Sequence, residues 1–221
     1  MVESKGWDWN SVPENEKNVW IEPAIESYYF LDRWKKKGFR EFLDLGCGMG
    51  RHSIQFARAG FKVSSFDIKK EAVTATSDWA EKEGLSVAGK VGDMLNLPYP
   101  DGLFDCIFCR NVINHSDTQG VKRSIAEIHR VLKNCGECYI SLTSKATDGF
   151  MNTDWPLIDP NTKICMREGP EYGVPHYFAD YDDIFELTKD FNVESIYHVE
   201  NFYEQFGKGH SSFHYHVLIS K

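Results

Sequence analysis

A doubly wound α/β fold on a mostly parallel, seven-stranded sheet is the architecture this sequence predicts. It should carry an antiparallel last strand, an N-terminal helical arm and an insertion after strand five. Three observations point there. Short apolar runs alternate with stretches of helical period from about residue 40 to 143, glycines close most of the helical stretches, and the run 42–45 enters the turn Gly46-Cys47-Gly48-Met49-Gly50 just before another helical pattern. Strands separated by helices of this length pair in parallel through right-handed crossovers.

The elements follow in order. Residues 1–38 read as an irregular arm carrying Trp7, Trp9 and Pro13, then a helix over 20–37. In that helix Ile21, Ile25, Tyr28, Tyr29, Leu31 and Trp34 recur at helical intervals up to a stop at Gly38. The core segment, 39–143, should contain strands at 40–45, 62–67, 87–91, 104–109 and 137–143. Helices are expected at 51–59, 70–83 and 118–132, the last with the stripe Val121, Ile125, Ile128 and Leu132. Over 144–180 the pattern breaks into a stretch with Trp155, Pro156, Pro160, Gly169, Pro170, Gly173 and Pro175, too long for an ordinary connection and therefore read as a functional insertion or lid. The remainder, 181–221, should hold a helix at 181–189 and strands at 193–199 and 212–220. The short loop between those strands makes the last one antiparallel. At 221 residues the chain reads as one domain.

Hydrophobic residues make up 42% of the chain and charged residues 26%, which is ordinary globular usage. A net charge of -8, with no basic run longer than Lys35-Lys36-Lys37, argues against a nucleic-acid partner. The N-terminus lacks an apolar signal core and no segment has the length of a membrane span, so no membrane association and a cytoplasmic location are expected. The six cysteines, at 47, 106, 109, 135, 138 and 165, should then be reduced. Of the two Cys-x-x-Cys pairs, Cys106 and Cys109 fall within a strand and face opposite sides, while Cys135 and Cys138 stand alone. No metal site is expected from them.

In an open parallel sheet, ligands bind at the carboxyl ends of the strands. Asp44 ends the first strand before the glycine turn, Asp67 ends the second, and Gly92-Asp93-Met94 follows the third. Arg51 stands where a dinucleotide fingerprint would place its final glycine. A pyrophosphate near Asp44 would be repelled, whereas a small nucleoside bearing a cationic amine would satisfy all three acids. The structural alternative is that Asp44 and Asp93 are helix caps and turn formers.

This set resembles the class I S-adenosylmethionine-dependent methyltransferases from about residue 42 to 145. Leu43-Asp44-Leu45-Gly46-Cys47-Gly48-Met49-Gly50 is similar to that family's first motif, Asp67 to its ribose-binding acid and Gly92-Asp93-Met94 to its adenine corner. Phe104-Asp105-Cys106-Ile107-Phe108 and Ile128-His129-Arg130-Val131-Leu132-Lys133-Asn134-Cys135-Gly136-Glu137 resemble the fourth and fifth motifs, although Asn134-Cys135-Gly136 replaces the usual Pro-Gly-Gly. The resemblance implies a Rossmann-like fold and S-adenosyl-L-methionine as cofactor. It implies that Asp44, Leu45, Gly46, Cys47, Gly48 and Gly50 hold the methionine portion and that Asp67 and Ile68 hold the ribose. Gly92, Asp93 and Met94 would take the adenine, with Cys109, Arg110 and Asn111 beside the sulfonium.

Residues 110–113 read Arg-Asn-Val-Ile rather than the Asn/Asp-Pro-Pro-aromatic motif of DNA amino-methyltransferases, which with the acidic charge points to a small-molecule acceptor. His115 and His176 are the candidate bases, and Trp20, Tyr28 and Tyr177 the candidate acceptor contacts. His214 and His216 share one face of the last strand and should be packed and hydrogen-bonded. A nicotinamide-dependent oxidoreductase and a non-catalytic S-adenosylmethionine-binding protein are the alternatives.

Overall fold

The computed structural model describes residues 4–12, 20–205 and 208–221, so parts of the expected arm, 1–3 and 13–19, lie outside the described residues. The chain order is α1 (Ile25–Lys36), β1 (Glu41–Leu45), α2 (Arg51–Arg58), β2 (Lys62–Asp67), α3 (Lys70–Lys82), β3 (Val87–Val91), β4 (Phe104–Cys109), α4 (Thr118–Val131), β5 (Leu132–Ser144), α5 (Asp148–Met151), β6 (Leu157–Asp159), β7 (Thr162–Ile164), β8 (Pro175–Ala179), α6 (Tyr181–Leu187), β9 (Asn192–Gln205) and β10 (Lys208–Ser220).

The central sheet runs β3-β2-β1-β4-β5 in parallel. It continues through β10, antiparallel to both β5 and β9. Strand order therefore reverses between β1 and β4, which opens a crevice at their carboxyl ends. Alternate residues face opposite layers. Leu43, Leu45, Ile107, Cys109 and Ile140 pack with Val121, Ile125 and Ile128 of α4. Phe42, Cys106, Phe108 and Tyr139 pack with Phe30 and Trp34 of α1 and Phe56 of α2. Both faces are covered, so these strands read as continuous apolar runs. Cys106 and Cys109 lie in different layers.

Helix α1 and strand β5 start away from where the sequence places them. Helix α1 begins at Ile25 rather than near Trp20, because Pro23 disfavours helical backbone at the preceding Glu22. It buries Ser27, Phe30 and Trp34 and leaves Ile25, Tyr28 and Tyr29 exposed. That face sits on fully buried Glu137, which accepts from Trp34 Nε1 at 2.8 Å and Arg33 Nε at 2.8 Å. Strand β5 starts at Leu132, directly after α4, with Cys135 in a left-handed conformation (φ 64°) before the apolar stretch.

The insertion is more ordered than its composition suggests. Strands β6, β7 and β8 form an antiparallel set, tied to α4 where Asp159 accepts from the Thr118 hydroxyl at 2.7 Å. Strand β8 pairs in parallel with β5 at Thr143 and Ser144, beyond the last β4 pairing at Ile140. Since β10 holds the other edge of β5 there, β8 occupies the edge that β4 has vacated, and its Tyr177 N–H donates to Asn114 O at 2.8 Å. The insertion thereby reaches the crevice.

Candidate active site

Strand β1 delivers its chain into a turn with Gly46, Gly48 and Gly50 all at positive φ. Gly46 is required there for two reasons: its φ is +77°, and a Cβ would lie 2.2 Å from Val112 Cγ2. The Gly46 and Cys47 N–H groups donate to Phe66 O at 2.8 and 3.0 Å, and Asp67 Oδ2 accepts from Gly48 N at 3.0 Å. The ends of β1 and β2 are thus joined into one ledge.

Above that ledge is a partly open cleft, the concave kind of site that small ligands occupy. Asp44, Leu45, Gly46, Cys47, Gly48, Asp67, Ile68, Gly92, Met94, Arg110, Asn111, Trp20 and His115 line it. Other expected residues stand aside for physical reasons. Gly50 is the N-cap of α2, and Cys109 is sealed in the core beneath. Asp93 is not among the lining residues; its Oδ1 accepts from Leu95 N at 2.9 Å, as a turn former's would, and from the Ser4 hydroxyl. Tyr28 points to solvent on the exposed face of α1, and Tyr177 is buried with its hydroxyl accepting from Asn161 Nδ2 at 3.2 Å. His176 lies behind His115, the ring centroids 5.1 Å apart.

Buried Asp44 accepts from Ser53 Oγ at 2.6 Å, and burial pushes its carboxyl up to about 6, opposed by that bond and by Arg51. Burial also raises Asp67, against its bonds to the Lys69 and Gly48 N–H groups. Two acids held against desolvation on one wall call for a cationic or multiply donating partner. Asn111 is left-handed (φ 56°), its N–H donating to Ser141 Oγ at 2.7 Å and its Oδ1 accepting from that hydroxyl at 2.9 Å. Burial lowers His115 to about 4 and His176 well below its usual value, leaving both rings neutral.

Several lining residues had no local signal. The arm places Ser4, Lys5, Gly6, Trp7 and Trp9 along the cleft. Trp7, Trp9 and Trp20 cluster with centroids 4.7 to 5.7 Å apart, and Arg51 lies 5.2 Å over the Trp20 ring. Trp9 rests on Gly48, where a Cβ would come within 2.9 Å of the indole. The Asp8 N–H donates to Pro170 O at 3.1 Å, so the arm also meets the insertion. These contacts join segments far apart in sequence. Only the aromatic richness of the arm hinted at them.

The donor set suits an adenosyl sulfonium cofactor: apolar walls at Ile68, Met94 and Val112, two acids at adjacent strand ends, and second lone pairs still available on both Asp67 oxygens. Comparison with known proteins agrees. A family model described as a methyltransferase domain matches residues 42–136. The uncharacterized methyltransferase YcgJ of Bacillus subtilis (strain 168) is 34% identical over 124 residues, 54% of this chain and 48% of that protein. Norajmaline N-methyltransferase of Rauvolfia serpentina is 35% identical over 114 residues, 50% of this chain and 38% of that protein. The chain thus spans about half or less of the length of these relatives. A solved S-adenosylmethionine-dependent methyltransferase of Methanosarcina mazei superposes with a TM-score of 0.68 at 21% identity, covering 82% of this chain and 92% of that one. Residues 42–136 thus match a methyltransferase domain, and the chain has the fold of solved S-adenosylmethionine-dependent methyltransferases.

Proposed function

We propose that this protein transfers a methyl group to a small-molecule acceptor bound between the Asn111–His115 loop, the tryptophan arm and the insertion. The observation that carries the reading is the roofed cleft: Trp7, Trp9 and Trp20 lie across a ledge ended by two buried acids. S-adenosyl-L-methionine supplies an electrophilic methyl on a sulfonium. Asp44 and the Gly46–Gly48 backbone would hold its methionine portion, Asp67 its ribose, and Gly92, Ile68 and Met94 its adenine.

In-line displacement depends on alignment and on exclusion of water. The roof provides the second and the fixed Asn111–Ser141 pair supports the first. Arg110, whose Nε lies 3.5 Å from Glu26 Oε2, sits on the acceptor side with His115. A role for His115 as direct proton acceptor and a role as metal ligand both use the same ring lone pair, and the donor atoms of Glu171 and His176, within 4.8 Å of its own and of each other, favour the second. A small acceptor is supported by the narrow roofed space and the net charge of -8, and by the norajmaline acceptor named for one relative. No helix among the described residues is long and apolar enough to cross a membrane.

The test is calorimetric titration of the protein with S-adenosylmethionine, S-adenosylhomocysteine and NAD, followed by product analysis against thiols, amines, phenols and carboxylates. Binding of the first two with methylation of at least one small acceptor is expected. Selective binding of NAD would overturn the reading in favour of an oxidoreductase, and cofactor binding with no product would favour a non-catalytic binder.

A further inference from the structure

Where His115 lines the cleft, it meets two side chains from separate parts of the chain that lie outside the cleft lining and that the glycine ledge does not use. His115 follows β4, Glu171 lies in the turn before β8, and His176 is on β8. The donor atoms of the three side chains all lie within 4.8 Å of one another. His115 Nε2 is 3.8 Å from Glu171 Oε1 and His176 Nε2 is 3.9 Å from Glu171 Oε2, too far for hydrogen bonds. His176 Nε2 is buried with no hydrogen-bond partner, in a ring only 8% exposed. An unsatisfied buried imidazole nitrogen is costly unless something fills the gap.

The spacing says what would fill it. Donors about 2.1 Å from a common ion stand roughly 3.0 to 3.4 Å apart, depending on geometry. The observed separations, 3.8 and 3.9 Å to the two Glu171 oxygens and within 4.8 Å among all three donors, require each side chain to rotate inward on binding the ion. Water-filled cation sites for magnesium or calcium use oxygen donors, whereas two imidazoles and one carboxylate suit first-row transition ions with open positions. The surroundings are built rather than incidental. Trp7 stacks on His115 with centroids 6.4 Å apart, while Trp155 meets the His176 ring edge-on at 5.9 Å.

We infer that His115, Glu171 and His176 form a site for one divalent transition-metal ion, with open coordination positions bordering the cleft. Resting on the methyltransferase reading, the ion's role is to hold an anionic oxygen or sulfur of the acceptor at the end of the cleft that His115 lines. Ion binding itself does not depend on that reading.

The protein is stripped with a chelator, dialysed, and titrated with Co²⁺ and separately with Mg²⁺, using the visible absorption of Co²⁺ and calorimetry as readouts. One Co²⁺ per chain with a ligand-field band is expected, and Mg²⁺ should bind at least 100-fold more weakly. Glu171→Gln and His176→Gln should each weaken Co²⁺ binding by 100-fold or more while S-adenosylhomocysteine affinity, which reports an intact ledge, stays within threefold. Absence of a Co²⁺ band in the unaltered protein overturns the assignment, as does uptake that both variants leave unchanged. If a variant does not fold, His115→Gln and the stoichiometry in the unaltered protein decide the matter. Loss of cofactor binding with retained Co²⁺ binding would instead count against the methyltransferase reading alone.

Discussion

Replacing Asp44 by Asn should stabilise the ligand-free protein and weaken cofactor binding at the same time. Asp44 is 1% exposed at the end of β1, and burial raises its carboxyl from 3.8 to about 6. That rise corresponds to about 3 kcal/mol against the charged form at neutral pH. The folded state binds the proton more tightly than the unfolded chain, so this contribution is fully present below pH 4, is lost as pH rises through about 6, and stays lost above. Asn is nearly isosteric and its Oδ1 can still accept from Ser53 Oγ. The variant should therefore match the parent near pH 4 and exceed it by up to about 3 kcal/mol at pH 7, or roughly 6 to 12 °C in melting temperature for a chain of this size. Loss of a charge-assisted contact should cost roughly 10- to 100-fold in S-adenosylhomocysteine affinity. Thermal unfolding of both proteins from pH 4 to 8, with ligand titrations at pH 7, checks each part. A variant no more stable than the parent at pH 7 would refute the reasoning, because Asp44 would then be a comfortable carboxylate.

Other substitutions probe the ledge and its support. Gly46→Ala should destabilise by about 1 to 3 kcal/mol through its positive φ and the Val112 contact. Urea unfolding of Gly46→Ala with Val112→Ala should recover only part of the steric cost, since Val112 Cβ itself would lie 2.8 Å from the new methyl, and should leave the backbone cost. Asp67→Ala frees the Gly48 and Lys69 N–H groups and should lower S-adenosylhomocysteine affinity at least roughly tenfold in calorimetry while the protein stays folded. Glu137→Gln leaves Arg33, Trp34 and Lys37 without their shared carboxylate. It should cost about 2 to 4 kcal/mol in urea unfolding, moderated because Arg33 and Lys37 can hydrate, with cofactor affinity nearly unchanged.

Much of this protein was legible along the chain. Each core strand and helix carries its own period, and the central strands β1 and β4 are buried on both faces, so the alternation of 42–45, 62–67 and 104–109 with amphipathic stretches determined the doubly wound fold by itself. The acids at strand ends were legible for the same reason: a parallel sheet brings consecutive carboxyl ends to one rim whatever the side chains elsewhere. What lay beyond local pattern was how distant segments meet. The buried stripe of α1 follows from Glu137 and the Phe42–Phe56 layer it covers, which is why Phe30 and Trp34 face inward and Tyr28 does not. The contact of Asp93 with Ser4, 89 residues away in the chain, had no trace in the local sequence. Tyr177 reads as a pocket residue in sequence and is core because β8 pairs with β5.

The sequence alone thus determined the sheet, its crossovers and the cofactor ledge, since those rest on periodicity, glycine conformation and charge within short stretches. Tertiary structure decided the roof and the His115, Glu171 and His176 cluster. Those depend on an arm and an insertion whose positions are set by the vacated edge of β5, and a long-range pairing of that kind leaves no period in the residues it joins.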